Sequence, residues 1–125
     1  MLKDQKDKRA ASVGWNFFSN YAHVLVCLAE NPDARLRDVA ERVGITERTA
    51  LRMVTQLEQS DILMRLKEGR RNSYIINPSE RLRHPIEEHC TVGELLKTIL
   101  SRNAYNTLTQ RFRNEKRRSH SRFSV

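Results

Sequence analysis

The sequence predicts a mainly α-helical fold with one small β-hairpin, in which a pair of short helices precedes the hairpin and a further helix follows it. Three observations predict this. Between Leu36 and Leu63, apolar residues recur at helical spacing in two segments broken at Gly44. From Ile62 the period drops to two, with Ile62, Met64 and Leu66 alternating with Leu63, Arg65 and Lys67; after a loop of Glu68-Gly69-Arg70-Arg71-Asn72, the run Ser73 to Ile76 returns. From Thr91 the helical spacing resumes, placing Val92, Leu95, Leu96, Ile99 and Leu100 on one stripe.

Taken in order, residues 1–14 are small and charged without an apolar period, and read as a flexible arm. Residues 15–78 read as the folded core. Its first helix spans Ser19 to Glu30, where Tyr21, Val24, Leu25 and Leu28 share a face behind Phe17 and Phe18, and Asn31-Pro32 closes it. Ala34 and Arg35 form a short segment placed to add a weak third strand to the hairpin. The second helix turns Leu36, Val39, Ala40 and Val43 inward. Gly44 supplies the left-handed backbone that ends it, and Ile45 plugs the angle before the next helix.

The third helix, Thr46 to Ser60, carries the most informative surface. Thr46 is its N-cap, because a hydroxyl there accepts from an otherwise unpaired amide of the first turn, and Glu47 suits the positive end of the helix dipole. At about 100° per residue, Ala50, Met53, Val54 and Leu57 fall on an inner stripe, and Arg48, Arg52, Thr55 and Gln59 on the opposite one. Exposed charges are ordinarily just the solvated face of an amphipathic helix. The hairpin loop shifts the reading, because it adds Lys67, Arg70 and Arg71. Leu51 flanks the exposed stripe, where contact with a thymine methyl and partly buried packing both stay open. Glu47 likewise has a second reading, as an acceptor for a cytosine amino group.

A helix-turn-helix followed by a basic hairpin is a winged helix. The stretch VAERVGITERTALRMVTQLEQSDILMRLKEGRRNSYIIN resembles the DNA-binding core of MarR-type and related winged-helix transcriptional regulators of bacteria and archaea. The resemblance implies that the third helix enters the major groove of duplex DNA. Arg48 and Arg52 are then the base or phosphate contacts, with Thr46, Thr49 and Thr55 as hydrogen-bonding supports; Lys67, Arg70 and Arg71 hold the wing against the backbone or the adjacent minor groove. The sequence departs from the pattern twice. Asp61 stands where these regulators usually place Gly after the recognition helix, and Leu51 stands where a polar residue is usual.

Asn77-Pro78 stops the second strand. Residues 79–112 read as a connector, with one helical turn starting at Pro85, followed by a C-terminal helix opened by the capping-box pair Thr91 and Glu94. Tyr105, Leu108 and Phe112 extend its stripe. Such a stripe either packs back on the first helix of its own domain or pairs with a second subunit; because winged-helix regulators commonly dimerise through added helices, it is expected to hold a homodimer together, through the helix starting at Thr91. Residues 113–125 read as a basic disordered tail.

Composition bounds the rest. At 125 residues and 38% hydrophobic, the chain supports one domain with one small core. A net charge of +8 favours an anionic partner, but the excess sits at the ends: residues 1–10 carry four bases and two acids, residues 111–125 six bases and one acid, and the remainder thirteen bases against twelve acids. The DNA reading therefore rests on the clustering of Arg48, Arg52, Arg70 and Arg71. No apolar run approaches the ~20 residues that cross a bilayer, the N-terminus lacks the pattern of a signal peptide, and Cys27 and Cys90 are a poor disulfide framework. A cytoplasmic protein without membrane contact is expected. His84, His89 and Cys90 match no metal-site spacing, and no phosphate-cradling loop, nucleophile elbow or metalloprotease helix occurs. No enzyme, metal or cofactor is expected. The sequence thus points to a sequence-specific, homodimeric regulator on double-stranded DNA. The alternatives are a winged helix used as a protein-interaction module without DNA readout and, more weakly, RNA binding through the tails.

Overall fold

The computed structural model describes residues 14–118. Most of the expected N-terminal arm, and residues 119–125 of the expected tail, lie outside the described residues. In chain order the elements are α1 (Asn20–Glu30), α2 (Leu36–Val43), α3 (Glu47–Gln59), β1 (Leu63–Glu68), β2 (Arg71–Ile76), α4 (Val92–Ile99) and α5 (Arg102–Arg118). The fold is the mainly α winged helix that the sequence predicts.

Each helix end has a local cause. Gly44 takes φ +87 and returns its amide to the Ala40 carbonyl, ending α2. Thr46 accepts from the Thr49 amide at 3.1 Å, starting α3. At the far end of α3 the Asp61 amide reaches the Glu58 carbonyl and the Ile62 amide reaches the Leu57 carbonyl, both at 3.1 Å. That pair of bonds is a Schellman motif, which requires a left-handed residue between helix and strand. Asp61 supplies it at φ +63, in the place where the regulators the sequence resembles usually carry Gly. Ile62 and Leu57 are both buried in the same cluster, the apolar contact that accompanies this cap.

The hairpin pairs Leu63 with Ile76 and, at its tip, Glu68 with Arg71. Its loop is thus two residues, Gly69-Arg70, tighter than the five-residue turn expected; Arg71 and Asn72 are strand residues. Gly69 at φ +65 sits first in the turn, the position that a two-residue hairpin loop of this hand assigns to Gly. The third strand expected at Ala34-Arg35 is absent among the described residues. One backbone bond stands nearby, from the Tyr74 amide to the Pro32 carbonyl at 3.1 Å.

The C-terminal part differs most from expectation. The connector has no helical turn at Pro85 but two successive tight turns, closed from the Glu87 amide to the His84 carbonyl and from the Cys90 amide to the Glu87 carbonyl. An isolated bridge between Arg81 and Thr91 then folds it back on itself. Thr91 and Glu94 form the predicted capping box. Instead of one long helix, the chain leaves helical geometry at Leu100 (ψ 154) and restarts, the Ser101 hydroxyl accepting from the Ala104 amide at 3.1 Å. The restarted helix runs to Arg118. Residues 113–118, expected to be tail, are therefore helical; the basic last turn suits the negative end of the helix dipole.

The core gathers all these elements. Val24 and Leu28 of α1, Val39 of α2, Val54 of α3, and Val92 and Leu96 of α4 are at most 1% exposed, and each leucine-sized side chain so buried is worth about 1.5–3 kcal/mol. Leu96 and Leu100 belong to this cluster. The stripe expected to hold a dimer is thus largely consumed by the chain's own core, and Ile99, at 39% exposed, is its main outward remnant.

Candidate nucleic-acid interface

The candidate interface is built on α3, whose position is fixed on three sides. Its inner stripe is buried, with Ala50, Met53, Val54 and Leu57 all 7% exposed or less. The Tyr21 hydroxyl donates to the Gln56 side-chain oxygen, tying the helix to α1. At its C-terminus the Arg83 guanidinium donates to the Ser60 carbonyl at 2.8 Å, a cation where the dipole favours one. Arg83 was not singled out from the sequence, since its partner lies 23 residues away.

On the outer side Arg48 and Arg52 are exposed, and neither makes an ion pair among the described residues. The three threonines divide. Thr46 caps the helix and its hydroxyl donates to the Thr49 hydroxyl at 2.8 Å, leaving the Thr49 hydroxyl proton for an outside acceptor. The Thr55 hydroxyl donates back to the Leu51 carbonyl at 2.9 Å, so its proton is already committed and only its oxygen can serve as an acceptor. Leu51 is 44% exposed.

Lys67, Arg70 and Arg71 are exposed at the hairpin tip, with Glu68 among them. The tip follows from α3 through the short Ser60–Ile62 link, so the Schellman cap at Asp61 sets the wing's direction relative to the helix. Other arginines are engaged in holding the fold. Arg65 pairs with Glu58 at 2.6 Å, Arg42 with Glu30 at 2.8 Å, and Arg111 donates to the buried Ser73 hydroxyl at 2.7 Å, docking α5 on β2. The Glu30 hydrogen bond pushes the Arg42 pKa up further.

Elsewhere the chemistry is spare. Burial pushes the Cys27 thiol up, against a smaller lowering by Arg42, and burial likewise raises Tyr74; both are protonated core groups at neutral pH. Among the described residues no three His, Cys, Asp or Glu side chains converge to hold a metal ion, and no helix is long and apolar enough to cross a membrane. The main concavity, about 710 Å³, is lined by Met64, Ile75, Phe112, Glu58 and Arg65 among others, and shares no residue with the basic face.

Residues 19–70, spanning α1 to the turn of the hairpin, match the MarR family model. Over that stretch the chain is similar to the MarR family. Among solved structures it is similar to the PcaV transcriptional regulator from Streptomyces coelicolor, determined in complex with its natural ligand, at 20% identity and a TM-score of 0.44 over 89% of this chain and 86% of that one. No curated protein matches. The matched segment includes α3 and β1, while β2, α4 and α5 lie beyond it.

Proposed function

We propose that the protein is a sequence-specific regulator that binds double-stranded DNA as a homodimer, with α3 in the major groove and the hairpin along the backbone or the adjacent minor groove. The observation that supports it is the set of exposed cations without acidic partners among the described residues: Arg48 and Arg52 on the outer side of α3, and Lys67, Arg70 and Arg71 on the hairpin. In the groove, Arg48 and Arg52 contact bases or phosphates, the Thr49 hydroxyl donates to a phosphate oxygen, and Thr46 acts through the cap. Thr55 contributes shape and an acceptor.

A two-fold dimer sets two recognition helices about 34 Å apart, one turn of duplex. Ile99 remains available on the helix starting at Thr91, but larger apolar area is offered by Trp15 and Phe17, which are 60% and 89% exposed and stack edge to face at 5.0 Å. We assign the subunit contact to this aromatic segment, with Ile99 as a lesser contributor. Selection of bound duplexes from a random pool tests the whole reading. It should yield a paired half-site bound with a steep salt dependence, since phosphate contacts release counterions. A pool with no enriched sequence would leave the protein-interaction alternative standing.

A further inference from the structure

We infer that Leu51 is a specificity-determining residue that selects a pyrimidine 5-methyl group at one position of each half-site; this rests on the DNA-binding reading above. Arg48, Leu51, Arg52 and Thr55 stand at i, i+3, i+4 and i+7, one continuous stripe of α3, where neighbours are about 5–6 Å apart at Cβ. Leu51 lies on its flank, one turn from Arg48 and from Thr55 and next to Arg52 along the chain. A single exposed leucine on an ordinary surface calls for no account, but this one is 44% exposed between two arginines that have no acidic partner among the described residues. The inner stripe of the same helix is filled without it.

The neighbouring groups sharpen the assignment. Thr55 commits its hydroxyl proton to the Leu51 carbonyl, so the stripe offers no neutral hydrogen-bond donor next to Leu51. What remains at that turn is an isobutyl group flanked by guanidinium groups. On the major-groove edge the polar groups of guanine, adenine and cytosine lose water against an isobutyl group and gain no hydrogen bond from it. The 5-methyl of thymine is the apolar feature of that edge. A leucine there therefore favours the methyl and disfavours the other bases at the same position. The same methyl occurs on 5-methylcytosine, and the two sources are separable by chemistry on the DNA.

The test uses the full chain and its selected duplex, with each thymine replaced singly by deoxyuridine, which removes the methyl and nothing else. One thymine per half-site should show about fourfold weaker binding on replacement, the value of one buried methyl-sized group. In Leu51→Ala that penalty should vanish at that position alone. Alanine is the best helix former and the site is exposed, so the variant folds, as a melt will verify. Placing cytosine at the same position should weaken binding in the parent, and 5-methylcytosine should restore part of it if the methyl itself is read, whereas no recovery ties the selection to thymine's other groups and overturns the inference. A parent insensitive to every deoxyuridine, or a Leu51→Ala protein with the parent's deoxyuridine profile, overturns it too. In those cases a selected site that still depends on Arg52 leaves the DNA reading intact, while a pool without an enriched sequence removes both.

Discussion

Arg52→Ala separates reading from folding. Arg52 is exposed and has no ion pair or hydrogen bond to any described residue, and it lies mid-helix, so its truncation should change stability by no more than about 0.5 kcal/mol. Binding is another matter. A guanidinium that makes a bidentate contact to a base edge contributes ~1–3 kcal/mol of discrimination, which is about 5- to 150-fold between a selected and a scrambled duplex. The companion change, Arg70→Ala with Arg71→Ala, removes two wing cations. If each neutralises one phosphate, the slope of log affinity on log salt should flatten by about 0.9 per contact, ~1.8 for the pair. Fluorescence anisotropy titrations on both duplexes at several salt concentrations, with thermal melts alongside, measure all of these. The Arg52 variant should lose its preference, and the wing variant should weaken on both duplexes alike. Undiminished preference in the first, or an unchanged salt slope in the second, would show that these residues are a solvated surface.

Four further outcomes are expected. Asp61 holds φ +63, so Asp61→Gly should stabilise by about 0.5–1 kcal/mol and Asp61→Val should destabilise by more than ~1 kcal/mol, read by urea unfolding; the reverse order would contradict the Schellman cap. At Gly93 a Cβ would stand 2.8 Å from the Pro78 Cβ and 2.9 Å from its carbonyl oxygen, so Gly93→Ala should cost about 1–3 kcal/mol through overpacking, despite the better helix propensity of alanine. In sedimentation, Trp15→Ser with Phe17→Ser should give a folded monomer, Ile99→Glu should weaken association less, and a dimer unaffected by either places the contact elsewhere. Because burial holds the folded Cys27 thiol above its ordinary value of 9.0, its contribution to stability is complete below about pH 9 and is lost as pH rises toward the folded pKa; Cys27→Ala should make the alkaline fall in melting temperature shallower, and an identical fall in both proteins would reject that cause.

What the sequence revealed and what it concealed follow from how local each cause is. The bounds of α3 were legible because a capping threonine and a 3.6-residue period act within one turn of the chain, and the left-handed place at Asp61 was legible because it interrupts a known pattern. The break at Leu100 was hidden by apolar residues running through it, although Ser101 carried the capping signal that restarts the helix. The contacts of Arg83 with Ser60, Arg111 with Ser73 and Gly93 with Pro78 join residues 15 or more positions apart, so no window along the chain holds both partners. On the candidate interface the exposure of Arg48 and Arg52 was readable from period alone. The back-bond of Thr55 was not, because either hydroxyl rotamer of a helical threonine is compatible with the sequence.

The position of Arg48 bears on whether this face is for binding or merely for solvation. In α2, α4 and α5 the basic residues of the last turn, Arg42, Lys97 and Lys116 to Arg118, sit at the negative end of the dipole, where a cation is favoured. Helix α3 inverts the arrangement. Its last turn has no base, and Arg48 is its second residue, beside unpaired amides that already carry partial positive charge. A cation there costs about 0.3–1 kcal/mol, offset in part by Glu47 one residue earlier. The first turns of α2 and α4 carry the acids Asp38 and Glu94, as that of α3 carries Glu47, and α2 also has a cation, Arg37, at its second position. An incoming phosphate changes the sign of the interaction, since a helix N-terminus with an adjacent guanidinium is an anion site built from amides and charge together. Under the proposed DNA-binding reading, a phosphate at the α3 N-terminus supplies the counter-charge that Arg48 lacks in the free protein.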